Sequence, residues 1–245
     1  MNRLFGDGHL TKRHLAYAAG AAMLALAFGN AIVGRAAETA HAVPPFTGTE
    51  PAPAGTTEVA VFAGGCFWGV QGVFQHVKGV TSAVSGYAGG EQRTAQYETV
   101  SSGRTGHAES VRITFDPKEV SYAKLLQIYF SVAHNPTELN RQGPDVGTQY
   151  RSTIFPTSAA QAQTAKAYIA QINSAHVFKK PLATTIEPDK AFYPAEAYHQ
   201  DFMTRHPNHP YIMINDAPKV SELKRMFGDA YRPDPVLVAN AKNPS

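Results

Sequence analysis

Sulfur nucleophiles are almost absent from this chain: its 245 residues include one cysteine, Cys66. A lone cysteine excludes an intrachain disulfide, a CxxC redox pair and a cysteine-based zinc knuckle. Tryptophan is just as scarce, with Trp68 standing alone two positions later. Charged residues make up 17%, and 22 Lys+Arg against 19 Asp+Glu leave a net charge of +3. That excess is too small for a protein that grips nucleic acid through its phosphates. Hydrophobic residues at 43% exclude a chain disordered throughout. At roughly 150 residues per domain, the length allows one or two domains.

The first apolar run is not part of a core. Arg3, Lys12 and Arg13 precede Leu15–Val33, and Ala40-His41-Ala42 supplies a small-x-small exit. A basic start, an apolar middle and a small-residue end are the pattern of an export signal, here residues 1–42. The run approaches the length that spans a bilayer, so an uncleaved membrane anchor is the rival reading. Removing residues 1–42 takes away four basic and two acidic residues and leaves +1. Residues 43–57 are rich in Pro, Thr and Gly and read as a flexible lead-in.

From residue 58 the chain alternates strand and helix patterns. Strands are expected at 58–63, 80–87, 108–115, 150–155 and 184–187. Apolar spacing predicts helices over 66–77 and 122–133, then from the Ser158 cap to about 176, and over 219–227. Residues 134–149 are polar and punctuated by Gly and Pro, a long loop of the kind that carries function. Strands and helices without strict βαβ alternation predict an α+β two-layer sandwich.

Cys66 falls between the end of one strand and the start of a helix, after Gly64-Gly65. Free N–H groups there favour an anion, and the thiolate is the reactive form of cysteine. A buried, inert thiol is the plain alternative. Phe67 and Trp68 follow directly, and one of them is expected beside the sulfur as an apolar wall. Seven histidines (76, 107, 134, 176, 199, 206 and 209) are candidate bases for a Cys–His nucleophile, and spacing selects none. His199, His206 and His209 match no metal-binding spacing.

Five segments then appear in order: Gly65-Cys66-Phe67-Trp68-Gly69, Ser85–Gly90, Gly106-His107-Ala108-Glu109, Asn140–Ser152 and Tyr198-His199-Gln200. Together they resemble the A-type peptide-methionine sulfoxide reductases over residues 57–215. The resemblance implies an α+β plait around a small mixed sheet, similar to a ferredoxin-like fold, over residues 58–245. It implies that Cys66 attacks the sulfoxide sulfur and that Glu109 protonates the sulfoxide oxygen. Tyr87 and Tyr150 would hydrogen-bond that oxygen, Phe67 and Trp68 would hold the methyl group, and Asp145 would line the site. No cofactor and no metal are implied. The chemistry fits these residue types, since sulfoxide oxygen leaves only once protonated and burial raises the pKa of a carboxyl.

Two departures stand out. Many family members carry later cysteines that resolve the Cys sulfenic acid as a disulfide, and this chain has none. Its reductant must therefore be an external thiol, either a monothiol or a thioredoxin-like protein. Asn135 also stands where the family usually has Asp, which reads as a variation in loop hydrogen bonding. The chain is thus expected to be an exported, periplasmic, monomeric reductase of methionine-S-sulfoxide that repairs oxidised proteins. Free methionine sulfoxide is a second candidate substrate. A single-cysteine thiol peroxidase and a binding module without turnover remain as alternatives.

Overall fold

The structure, a computed structural model, describes residues 38–53 and 55–238. The chain divides into two units, Met1–Arg35 and Ala36–Ser245, and every described residue lies in the second. The basic and apolar parts of the expected export signal lie outside the described residues. Among the described residues no helix is long and apolar enough to cross a membrane.

The strands are β1 (Glu58–Ala63), β2 (Val80–Ala88), β3 (Ala108–Phe115), β4 (Arg141–Gln142), β5 (Asp145–Val146), β6 (Thr153–Phe155), β7 (Thr185–Ile186) and β8 (Phe192–Pro194). Six of them form one sheet in the order β7-β6-β1-β3-β2-β8. Only the β6–β7 pair is parallel, so the sheet is mixed, and with its helices the fold is α+β as expected. The helices are α1 (Phe67–Gln75), α2 (Tyr97–Val100), α3 (Tyr122–Ile128), α4 (Ala159–Ser174), α5 (Phe202–Arg205) and α6 (Ala217–Met226). The expected long helix over 122–133 is α up to Ile128 and a π turn over Tyr129–Ala133. Ser121 and Ser158 cap their helices as expected, accepting from the amides of Lys124 and Gln161, each at 3.2 Å.

Strand direction gathers the site at one end of the sheet. β1 runs antiparallel to β3 with Phe62 opposite Val111, so the exit of β1 toward Cys66 meets the entry of β3 at Glu109. Tyr87, near the end of β2, pairs with Glu109. β6 pairs with β1 with Thr153 opposite Ala63, which brings Tyr150 to the same end. Beneath, Phe62, Phe67, Phe74, Phe115, Leu125, Leu126, Tyr129 and Phe130 are fully buried between helices and sheet.

The expectation of a flexible lead-in over 43–57 is corrected for its first half. Residues 38–50 dock on the body as a strap. The His41 amide donates to Ser131 O at 2.9 Å, and its ring lies 4.5 Å from Phe178. Val43 is buried, a gain of roughly 1.5–3 kcal/mol for such a side chain. The Pro44 carbonyl accepts from Tyr168 Oη at 2.7 Å and the Pro45 carbonyl from Gln171 Nε2 at 2.8 Å. Glu50 accepts the Ala123 amide at 2.7 Å in the first turn of α3. Composition signalled flexibility, but Pro44-Pro45 holds the strap extended, and its carbonyls meet donors on α4.

Candidate active site

Cys66 is the N-cap of α1. Gly65 before it has φ +85°, and a Cβ there would lie 2.6 Å from Gln142 Cβ, so the tight turn requires glycine. Gln142 is itself clamped to Asn135, accepting from its amide at 2.9 Å and donating to its carbonyl at 2.7 Å. The Asn135 side chain accepts from the amide and hydroxyl of Thr137, the loop role its position suggested. Behind Gly64 sits His134, bonded to Ser152 Oγ at 2.7 Å and Tyr129 O at 3.1 Å. Burial pulls its pKa down to about 3, so it is a neutral packing group.

Cys66, Phe67, Trp68, Tyr97, Glu109, Asp145, Tyr150, His209 and Tyr211 line one cavity of about 230 Å³. Six of the seven side chains expected from the sequence meet there. Tyr87 does not line it. Its ring is fully buried, 5.8 Å from the Phe67 ring, and its hydroxyl donates to Glu196 Oε2 at 2.9 Å. Glu196 also accepts the Tyr97 amide at 2.9 Å, so one carboxylate ties together Tyr87 and the segment that brings Tyr97 to the cavity.

The aromatic wall is braced from behind. Trp68 stacks on Phe202 at 3.7 Å and 7° and meets Tyr211 edge-on. Its indole Nε1–H donates to His199 Nδ1 at 3.1 Å. His199 therefore carries any single ring proton on Nε2, which is buried and lies 4.0 Å from Glu196. Burial lowers the His199 pKa. Phe67 is buried, 5.0 Å from the His199 ring.

Electrostatics set the carboxyl and the thiol apart. Glu109 is buried, and its Oε2 accepts the Phe67 amide at 3.0 Å. Burial, helped by Asp145 and Asp216, pushes its pKa up to about 8 despite that hydrogen bond. At neutral pH it is a carboxylic acid with a proton to give. The helix start was expected to favour a Cys66 thiolate, and the structure reverses that sign. Burial, then Glu109 and Asp216, push the thiol up, outweighing the Trp68 amide that favours the anion. The resting sulfur is thus a thiol. Asp145 is raised by burial, and it accepts a short hydrogen bond from Tyr211 Oη.

Sequence reading missed Tyr97, Tyr211 and Glu196, and it did not single out His209 among its seven candidate bases. Tyr97 and Tyr211 resemble any half-buried tyrosine in sequence. Among the described residues no three His, Cys, Asp or Glu side chains are grouped to hold a metal ion.

Comparison with known proteins gives this geometry its context. Residues 58–231 match the family described as peptide methionine sulfoxide reductase. A relative from Mesorhizobium japonicum, "Peptide methionine sulfoxide reductase MsrA 2", is 63% identical over 187 residues, covering 76% of this chain and 96% of that one. A Synechocystis protein of the same description is 51% identical over 173 residues, covering 71% of this chain and 81% of that one. Among solved structures, reduced Mxr1 from Saccharomyces cerevisiae superposes with a TM-score of 0.55 at 30% identity, covering 68% of this chain and 94% of that one. Methionine sulfoxide reductase A of Corynebacterium diphtheriae gives 0.54 at 28% identity, covering 73% of this chain and 92% of that one.

Proposed function

The chain belongs to the peptide methionine sulfoxide reductase family; from that premise we propose that it reduces methionine sulfoxide at the expense of thiols, and we propose the part each residue of the cavity plays. The observation that carries the assignment is a neutral carboxyl, Glu109, and the only thiol, Cys66, in one small aromatic cavity.

The sulfoxide methyl rests against Phe67 and Trp68. Its oxygen faces Glu109 and the Tyr150 hydroxyl, which burial keeps protonated. Glu109 gives its proton to the oxygen as Cys66 Sγ attacks the sulfur, and the proton leaving Cys66 restores Glu109. Thiol and sulfoxide become sulfenic acid and thioether: the substrate sulfur gains two electrons and Cys66 loses two. An asymmetric cavity reads one sulfoxide epimer, and the resemblance to the A-type reductases implies that it is the S epimer. Tyr87 acts at one remove, backing Phe67 and bonding Glu196, with no contact to the oxygen.

Because Cys66 is the sole cysteine, its sulfenic acid has no partner in the chain. An external thiol attacks it, releasing water and leaving a mixed disulfide, and a second thiol frees Cys66. We further propose that the enzyme is exported and works as a monomer, repairing oxidised proteins outside the cytoplasm. The basic, apolar and small-residue sequence of residues 1–42 supports export.

Reaction with excess methionine-S-sulfoxide and no reductant tests the scheme. It should yield one methionine per chain, with Cys66 carrying one added oxygen by mass spectrometry. Cys66→Ser should yield none. Repeated turnover without thiol, a covalent dimer as main product, or methionine from the serine variant would refute it. A peroxide assay alongside separates this enzyme from a thiol peroxidase.

A further inference from the structure

The proposed chemistry leaves one buried ionic group unused. Asp216 is fully buried and Lys219 nearly so, with Nζ 3.5 Å from Asp216 Oδ1. Both press against α1 at Gly69, three residues after Cys66. A Cβ at Gly69 would lie 2.2 Å from Asp216 Oδ1 and 3.2 Å from Lys219 Nζ. The last glycine of the Gly-Cys-Phe-Trp-Gly segment thus makes room for an ion pair behind the nucleophile. The third member comes from the N-terminal strap: Glu38 Oε2 lies 3.9 Å from Lys219 Nζ. A Cβ on Gly143, in the β4–β5 turn, would lie 3.9 Å from Glu38 Oε1, so the carboxylate is pinned between α6 and that turn.

We propose that Glu38 is a positioning residue of the active site: by sharing the Lys219 ammonium with Asp216 it sets the charge behind Cys66, and the strap is part of the working enzyme. The proposal rests on the reading of Cys66 as nucleophile, but its test does not need turnover. Around the thiol stand Glu109 from β3, Asp145 from β5, Tyr97, Tyr150, His209 and Tyr211 from the cavity wall, and Asp216 from the π turn before α6. Lys219 is the cation that Asp145, Asp216, Glu38 and Cys66 all feel. One ammonium divided between two carboxylates compensates each incompletely, and the uncompensated charge opposes the thiolate. Remove Glu38, and Lys219 serves Asp216 alone. The thiolate then forms at lower pH.

Cys66 is the only cysteine, so iodoacetamide alkylation reads its thiolate without ambiguity. In the full chain Glu38→Gln should shift the pH profile of alkylation downward by about half a unit, a roughly threefold faster rate at pH 7.5. Asp216→Asn should shift it further the same way, and Glu38→Asp should return it toward wild type. Glu50→Ala is the control: it removes a strap contact to α3 and should loosen the strap without moving the profile. A Glu38→Gln profile superimposed on wild type would overturn the proposal, as would an equal shift in Glu50→Ala. Failure of Cys66→Ser to abolish turnover would instead overturn the nucleophile assignment and leave this measurement standing. The working enzyme must also retain Glu38. Cleavage after Ala42 would remove it, so an intact mass beginning at any residue after Glu38 counts against the proposal, and a form that retains Glu38 supports it.

Discussion

Glu109→Gln separates two consequences of the same buried carboxyl, one on catalysis and one on stability. Glutamine keeps the size of the side chain and a carbonyl to accept the Phe67 amide, but it has no acidic proton. General acid catalysis is worth about 10²–10⁴-fold, so single-turnover formation of the sulfenic acid should slow by that order. Stability should move the other way. The Glu109 pKa rises from 4.5 in the unfolded chain to about 8 in the folded one. Between those values the folded state holds a proton that the unfolded state has released, so stability from this group is complete below pH 4.5. It falls by about 1.4 kcal/mol per pH unit as pH rises toward 8. At pH 7 the buried neutral acid therefore costs about 3 kcal/mol relative to an uncharged isostere. Urea titrations of both proteins from pH 4 to 8 measure this. The variant should be more stable at pH 7 by about that amount, with the gap closing near pH 4.5. A variant less stable than wild type at pH 7, or a gap that does not depend on pH, would refute the neutral-acid reading. A single-turnover rate within twofold of wild type would refute the catalytic role.

The remaining predictions concern the wall and the ion pair. Trp68→Ala removes the ring stacked on Phe202 and bonded to His199; KM should rise and kcat should fall together, because a misplaced sulfur loses its line to the thiol, and steady-state kinetics that move neither would put the wall elsewhere. Gly69→Ala drives a methyl into Asp216 and should cost about 1–3 kcal/mol by overpacking, read as a lower urea midpoint; unchanged stability would mean that the ion pair is free to move. The thiol-dependent rate on methionine-S-sulfoxide should decline as pH rises through about 8, where Glu109 loses its proton, and that limb should disappear from the residual rate of Glu109→Gln.

Much of the site was legible in the sequence because it depends on local structure. Gly64-Gly65 before Cys66 reads as a strand stop and a helix start, and the structure has both. The five ordered segments named Cys66, Phe67, Trp68, Glu109, Asp145 and Tyr150, and the antiparallel register brings them to one end of the sheet. What stayed hidden depends on distances between segments far apart in the chain. Tyr211 reaches Asp145 across 66 residues and His199 reaches Trp68 across 131, and no spacing rule predicts such pairs. The strap shows the same limit: a Pro-rich composition argues for flexibility, and only the tyrosine and glutamine donors of α4 decide that it docks. The sign of the Cys66 shift was beyond sequence for a deeper reason. A helix N-terminus is a local feature and favours the thiolate, but burial and the carboxylates of Glu109, Asp216 and Asp145 arrive from other elements and outweigh it. Sequence named the groups proposed to do the chemistry, and tertiary structure decided which of them hold a proton at rest, because a proton's affinity is set by every charge and every excluded water around it.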